Sequence, residues 1–410
     1  MKNFRGNHTK EVILQCLSTY SNIHRGEGHF SKATERLLLR ARETLLEYMK
    51  LNKNQYIVVF CSPLRADQLK NRLRKYDYQE LSSSEFGLPF GLRALAIRKC
   101  RLPRGAPDQS GGGTVKMVRA NTVVWAKAPQ RFEAGTPSII HSIAFAHILY
   151  REMSPHDCLT MPSIIVPGND LSNKNDPFSE LTGSKLMVML RKNVIGGNLR
   201  IPTFTGERNF VNLDNPASNP TFTPVYNAVC EVLDRSVSTA SGTIEEVKEI
   251  CADFLGITRD KYDIIFAANT TEAINLASEN FLQTRWKNTE SLIVNSIQEH
   301  NSNELPWREG KYHSLKIPLK GKGILDLDFL DDLLHKYNVL HLHGKKRIRM
   351  VSVSGVSNIL GIYNDIREIC TIARRYDVYT LIDGAQWVAH RRISLEDNGV
   401  DCFTFSGHKI

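Results

Sequence analysis

The alternation of short apolar strands with amphipathic helices over residues 208–410 constrains the fold of this chain more than any other feature. β-branched and apolar runs predict strands at residues 263–267, 291–295, 314–318, 347–354, 378–383 and 402–406. Helical spacing of apolar residues predicts helices at residues 244–255, 271–281, 327–336 and 366–376. Strands and helices that alternate in this way form a mostly parallel sheet with helices on both faces. We therefore predict an α/β fold for this part of the chain.

The first 160 residues are less regular. Their pattern predicts an amphipathic helix at residues 32–50, strands at 56–60 and 92–97, and a basic helix at 66–75. Turn-forming residues cluster at 167–177, and a short amphipathic helix is predicted at 184–193. We therefore expect two domains, residues 1–160 and 208–410, joined by a linker at 161–207.

The net excess of basic over acidic residues lies entirely in the first 160 residues of the chain. Residues 1–160 hold 25 basic and 13 acidic residues, whereas residues 161–410 hold 28 and 30, within a net charge of +10. Such asymmetry favours a nucleic-acid partner. No recognised nucleic-acid motif accompanies it, and the basic residues are more simply explained as a solvated helix face, so no nucleic-acid partner is predicted. These residues are Arg65, Lys70, Arg72, Arg74 and Lys75.

Composition excludes several classes of protein. No run approaches the about 20 apolar residues of a membrane span, and no apolar stretch typical of a signal peptide follows the N-terminus. The eight cysteines are scattered, with no Cys-x-x-Cys pair and no zinc-like spacing. These features predict reduced thiols, a cytoplasmic location, no metal and no membrane partner.

Four groups of polar residues follow predicted strands, at the sheet edge where α/β proteins bind ligands. Residues 269–272 open a helix, where free N–H groups suit a phosphate, although an ordinary helix cap explains them equally well. Asp383 is suited to bind a metal, act as a base, pair with a protonated ring nitrogen or cap a helix. Lys409 suits Schiff-base chemistry, with a solvated surface lysine as the default. His300 is placed to stack on a flat ring, or to serve as a core or capping histidine.

In this order and spacing, these groups resemble one family. It is the fold type I pyridoxal-phosphate enzymes of the aminotransferase class V family, in the cysteine desulfurase and selenocysteine lyase-like branch. The resemblance runs from residue 209 to the end. The motifs that carry it are Asn212-Leu213-Asp214-Asn215 with Pro220, Thr270-Thr271-Glu272, Glu299-His300 with Pro306-Trp307, Val356-Ser357-Asn358-Ile359-Leu360-Gly361, Asp383-Gly384-Ala385-Gln386 and Phe405-Ser406-Gly407-His408-Lys409. The resemblance implies a fold type I transferase-like sheet, pyridoxal 5'-phosphate as cofactor and a small amino acid as substrate.

The resemblance also implies a role for each site residue. Lys409 would hold the cofactor through a Schiff base and move protons, and Asp383 would pair with the protonated pyridine nitrogen. His300 would stack on the ring, and Ala385 would lie beneath it. The other positions are Asn358 and Gln386 at the phenolic oxygen, and Thr270, Thr271, Ser406 and His408 at the phosphate.

The same family pattern returns in pieces upstream. Segments that resemble it are residues 20–26, 82–91, 111–114 and 125–137. Glu85 takes the place of the Schiff-base lysine, and a carboxylate cannot form an imine, so this partial copy cannot hold the cofactor covalently. In the family, the three-glycine loop and a following Gly-Thr reach the phosphate of the neighbouring subunit. Gly112 and Thr136 would therefore serve a second chain, which implies a homodimer or an intrachain mimic of one.

The resemblance further implies that an antiparallel strand follows the lysine, between the lysine strand and the first strand of the sheet. This chain ends one residue after Lys409, and unpaired strand edges there would cost roughly 1 kcal/mol or more per buried group. We expect residues 91–97 to insert into that sheet, with two separate half-folds as the competing arrangement.

The leading functional hypothesis is a pyridoxal-phosphate-dependent transferase or lyase. The family's substrate-binding arginine and nucleophilic cysteine belong to a small C-terminal domain that would be incomplete here, and Cys158 comes too early to replace that cysteine. The alternative is a catalytically impaired fragment or pseudoenzyme that serves as a binding or assembly module.

Overall fold

The computed structural model describes residues 2–23, 28–119, 122–154, 181–234, 240–284, 286, 288–309 and 314–410. Its helices are α1 (Lys2–Ser18), α2 (His29–Tyr48), α3 (Pro63–Lys70), α4 (Ile139–Met153), α5 (Gly183–Asn193), α6 (Thr223–Asp234), α7 (Ala240–Leu255), α8 (Thr270–Gln283), α9 (Asn301–Glu309), α10 (Leu327–Asn338), α11 (Ile366–Arg375) and α12 (Leu395–Asn398). Residues 24–26 of the upstream segment 20–26, Cys158 and the predicted turn cluster at 167–177 lie outside the described residues.

The strands are β1 (Tyr56–Cys61), β2 (Tyr78–Ser82), β3 (Arg93–Arg98), β4 (Val115–Arg119), β5 (Thr122–Trp125), β6 (Arg200–Thr203), β7 (Gly206–Asn209), β8 (Glu290–Ser296), β9 (Ser314–Ile317), β10 (Leu319–Lys320), β11 (Ile324–Leu325), β12 (Lys346–Ser354), β13 (Tyr379–Asp383) and β14 (Cys402–Thr404). Most of the elements that the sequence predicted are present to within a few residues, whereas α1, α4, α6, α9, β2 and the short hairpins were not predicted. No helix in the described part of the chain is long and apolar enough to cross a membrane.

The chain forms two compact units, and each unit is built from two separate stretches of sequence. The first unit comprises Met1–Leu102 and Ser138–Ala240, and the second comprises Pro103–Pro137 and Ser241–Ile410. The expected domain limits at residues 160 and 208 do not coincide with these units. Residues 103–137 belong with the second unit, where the Asn275 side chain donates to the Ser110 carbonyl. Helix α6 belongs with the first unit, where the Tyr226 hydroxyl donates to the Lys10 carbonyl of α1.

The first unit contains a three-stranded antiparallel sheet in the order β1-β3-β2. Residues 94–97 of β3 are fully buried between their two neighbours, and α2 and α4 supply much of the core around them. The expectation that residues 91–97 insert into the sheet of the second half is therefore wrong. Both edges of β3 already have partners, because β1 and β2 satisfy its backbone groups locally.

The second unit contains a five-stranded parallel sheet in the order β14-β13-β12-β8-β9. Alternate residues of these strands face opposite sides. Ile293 and Leu381 pack with α8 and α9, whereas Val294 and Ile382 pack with α10 and α11. The prediction of an α/β fold with helices on both faces of a parallel sheet is confirmed.

Two local predictions were wrong. Residues 263–267 form no strand, and Ile265 and Phe266 are exposed, because the five-stranded sheet ends at β14 without pairing to them. The basic helix predicted at 66–75 ends at Lys70. Arg65, which we expected on a solvated helix face, lies in α3 and is buried.

Candidate functional site

The N-terminus of α8 is closed by a reciprocal cap. The Asn269 side-chain oxygen accepts from the N–H of Glu272 at 3.0 Å, and the Glu272 carboxylate accepts from the N–H of Ala268 at 2.6 Å. Ser406, two residues after β14, also reaches this turn. Its hydroxyl accepts from the Thr270 N–H at 3.0 Å and lies 2.6 Å from the Thr270 hydroxyl. The turn thus combines a helix cap with a cluster of hydroxyls at a positive helix end, a setting that suits an anion.

His300 joins the same cluster through Ser302. The Ser302 hydroxyl lies 2.9 Å from Nδ1 of His300 and 2.7 Å from the hydroxyl of Thr271. The Gly112 N–H donates to the same hydroxyl at 3.4 Å. Ser302 was not singled out in the sequence, although its position two residues after His300, at the start of α9, was a usable signal.

Asp383 ends β13 and is buried, with 5% of its surface exposed. The Ala385 N–H donates to the Asp383 carboxylate at 3.0 Å, and this is the one hydrogen bond to that carboxylate within the described residues. Burial raises the pKa of Asp383, while that bond and the positive charge of Lys409 oppose the rise. A buried carboxylate with so few partners is suited to pair with a cationic group of a ligand.

His408 and Lys409 lie in the short turn after β14, and both are half-buried. Burial, together with the charge of Lys409, lowers the pKa of His408 to about 4. Its Nε2 atom is buried and has no hydrogen-bond partner in the described part of the chain. A neutral imidazole with an unpaired buried nitrogen is available to a ligand.

The structure places the other predicted residues as follows. Asn358 is exposed in the turn after β12, and Gln386 is half-buried in the turn after β13. Ala385 is buried beside Asp383. The carbonyl of Thr136 accepts from the Asn269 side chain at 3.3 Å.

Gly384, the residue after Asp383, has no room for a side chain. A Cβ at this residue would lie 1.9 Å from Cζ of Phe403. We expect Gly384→Ala to lower the free energy of unfolding by about 3 kcal/mol, since the Phe403 ring packs against the core. Gly242→Ala is the matched control, because that helical glycine has open space around it and the change is stabilising by roughly 0.5–1 kcal/mol. Urea denaturation of both variants measures the difference, and equal stabilities would contradict the clash.

The second unit is thus an α/β structure with three features at the carboxyl edge of its parallel sheet. They are the hydroxyl-lined turn at residues 268–272, here called the anion turn, the buried Asp383 carboxylate and Lys409. The Aminotransferase class-V family model matches residues 75–152 and 211–410, about two thirds of the chain. The chain belongs to this family, and family members depend on pyridoxal 5'-phosphate.

The chain is also similar to individual cysteine desulfurases over part of its length. A cysteine desulfurase of Pectobacterium carotovorum is 32% identical over 189 residues, which cover 45% of this chain and 44% of that protein. One of Wigglesworthia glossinidia brevipalpis is 32% identical over 190 residues, covering 45% and 43%. A solved structure of a Thermococcus onnurineus cysteine desulfurase has a TM-score of 0.45 at 26% identity, covering 56% of this chain and 55% of that one. The chain thus spans less than half the length of the curated relatives it matches.

The residues present fit the cofactor. The buried Asp383 carboxylate suits a protonated ring nitrogen, and the unpaired Nε2 of His408 suits a phosphate oxygen. Backbone close to the anion turn is kept free of side chains. A Cβ on Gly112 would lie 3.0 Å from Cε1 of His300, and one on Gly111 would lie 2.3 Å from Thr271.

Proposed function

We propose that this chain binds pyridoxal 5'-phosphate covalently through Lys409 and acts on a small amino acid, by cysteine desulfurase or aminotransferase chemistry. The observation that carries the proposal is the clustering at one sheet edge of a buried Asp383, a half-buried Lys409 and the hydroxyls at the N-terminus of α8. The cofactor, when bound, supplies an electron sink for charge that develops at the α-carbon of the substrate.

Three side chains carry the reaction in this proposal. The Lys409 amine, released from the cofactor when the substrate amine replaces it, would take a proton from the α-carbon of the substrate and return it, as a general base and then a general acid. Asp383 keeps the ring nitrogen protonated, because its carboxylate is otherwise a poorly paired buried charge. His300, held by Ser302, stacks on the ring and orients it.

The remaining residues bind and orient. Thr270, Thr271 and Ser406 offer hydroxyls to the phosphate, and the first turn of α8 offers its positive dipole end. The other assignments are His408, a neutral donor to the phosphate, Asn358 and Gln386, which contact the phenolic oxygen, and Ala385, whose small side chain leaves room for the ring. A homodimer and a cytoplasmic location stay predictions.

Locating the covalent attachment tests this function. The protein is incubated with pyridoxal 5'-phosphate, reduced with borohydride, digested and analysed by mass spectrometry. We expect a visible absorption band before reduction and a stable adduct on the peptide that contains Lys409. Lys409→Ala should lose both, whereas Lys322→Ala, at an exposed lysine, should keep them. A wild-type protein without the adduct contradicts the proposal and favours a non-catalytic binding or assembly module.

A further inference from the structure

The glycine-rich loop at residues 110–113 is fixed to α8 of its own chain by Asn275. This buried side chain donates to the Ser110 carbonyl at 2.8 Å and accepts from the Ser110 N–H at 3.1 Å. Asn275 also donates to the Thr271 carbonyl at 2.7 Å, inside the same helix. One amide therefore pairs both backbone groups of Ser110 with the turn that carries the proposed phosphate-binding hydroxyls.

A second contact is made by the turn around Gly135. The Asn269 side chain donates to the carbonyls of Ala134 at 3.2 Å and Thr136 at 3.3 Å. Gly135 itself has a φ of +78°, and a Cβ there would lie 2.5 Å from the Asn269 side-chain oxygen. Its N–H donates to the Gly112 carbonyl at 2.7 Å, so the two segments form one layer of backbone against the start of α8.

We propose that residues 103–137 complete the cofactor site of their own chain, so that a single chain binds pyridoxal 5'-phosphate without a second subunit. The identity of the ligand rests on the proposed function, whereas the closure within one chain rests on the contacts made by Asn275 and Asn269. Asn275 is a positioning residue: it holds the loop that brings the Gly112 N–H to Ser302 and, through Ser302, to His300. A homodimer expected from the resemblance is then unnecessary for the site.

A cysteine cross-link tests the closure without any cofactor. A Cβ on Gly112 would lie 3.3 Å from the Ser302 hydroxyl oxygen, within the reach of a disulfide. Chains of the double variant Gly112→Cys, Ser302→Cys, one batch isotopically light and one heavy, are denatured, mixed, refolded and oxidised. Peptide mass spectrometry should find the 112–302 cross-link only between peptides of equal isotope label. Light–heavy cross-links, or no 112–302 cross-link at all, would overturn the proposal.

Cofactor binding provides the second test. We expect Asn275→Ala to weaken binding about tenfold, the effect of losing roughly 1.4 kcal/mol of loop positioning. Asn280→Ala, at an exposed residue of the same helix, should leave the Kd unchanged. An Asn275→Ala protein with the wild-type Kd counts against the positioning role.

Mixing two defective chains then separates closure in one chain from sharing between chains. Gly111→Val disrupts the loop and keeps Lys409, and Lys409→Ala does the reverse. After co-refolding, the mixture should bind no more cofactor covalently than Gly111→Val alone. If two subunits share the site, covalent cofactor binding should instead return in about half of the chains that carry Lys409, because chains pair at random in a symmetric dimer. If wild-type protein binds no cofactor while the cross-link stays within one chain, the proposed function fails and the closure stands.

Discussion

Asp383→Asn is expected to weaken the binding of pyridoxal 5'-phosphate by about ten- to a hundredfold, which corresponds to the roughly 1.5–3 kcal/mol of a hydrogen bond to a charged group. The asparagine keeps the size of the side chain and an oxygen for the Ala385 N–H. It cannot supply the negative charge that holds a proton on the ring nitrogen. Equilibrium dialysis measures the Kd, and Asp377→Asn, in the turn before β13, is the control. A wild-type Kd for Asp383→Asn would remove this residue from the site.

The same substitution has a distinct effect on the stability of the protein without cofactor. Burial raises the pKa of Asp383 in the folded state, so the folded protein binds this proton more tightly than the unfolded chain. The contribution of this group is therefore greatest below the ordinary pKa of an aspartate and is lost as pH rises through the raised pKa. Asparagine does not titrate. The free energy of unfolding of the wild type, minus that of Asp383→Asn, should fall as pH rises through this window, and a constant difference would contradict it.

The sequence predicted the parallel sheet because its signal is local. Buried strands such as 347–354 and helices such as 366–376 carry their periodicity within about ten residues, and the structure has them as β12 and α11. The ends of those strands also predicted which residues gather, because the carboxyl ends of parallel strands share one edge. Asp383 at the end of β13 and Lys409 after β14 follow that rule, since these two strands pair in parallel. Thr270 follows no strand, and its contact with Ser406 was implied only by the family resemblance.

Pairing between distant segments was not predictable in the same way. The apolar run at 92–97 predicts a strand, but nothing in that run specifies whether its neighbours are β1 and β2 or strands of the second unit. Likewise, Ser110 and Asn275 lie 165 residues apart, and neither residue type marks a contact by itself. Tertiary packing decides both the partners of this strand and the contact of Ser110 with Asn275, because several alternative partners would satisfy the same backbone groups.

Glu299→Ala is expected to lower the free energy of unfolding by about 3 kcal/mol, since three side-chain donors lose the half-buried carboxylate that they share. The carboxylate accepts from Ser354 and from Asn303, each at 2.7 Å, and from Ser296. Burial raises the pKa of Glu299, and these hydrogen bonds oppose the rise. The ionised form of the Glu299 carboxylate is therefore stabilised by these three donors. Thermal and urea denaturation measure the loss. Glu299→Gln, which keeps the shape and one acceptor oxygen, should lose less.

The loss should extend to cofactor binding, because the Glu299 network holds the start of α9 against the sheet. Asn303, which donates to Glu299, accepts from the Trp307 ring N–H at 3.1 Å and from the Ser352 hydroxyl on β12 at 2.6 Å. His300 lies between Glu299 and α9, so a loosened network displaces the imidazole proposed to stack on the ring. We therefore expect the Kd for pyridoxal 5'-phosphate to rise more in Glu299→Ala than in Glu299→Gln, measured below the unfolding temperature of both. An unchanged Kd in a destabilised Glu299→Ala protein would restrict this network to stability and leave the orientation of His300 to Ser302 alone.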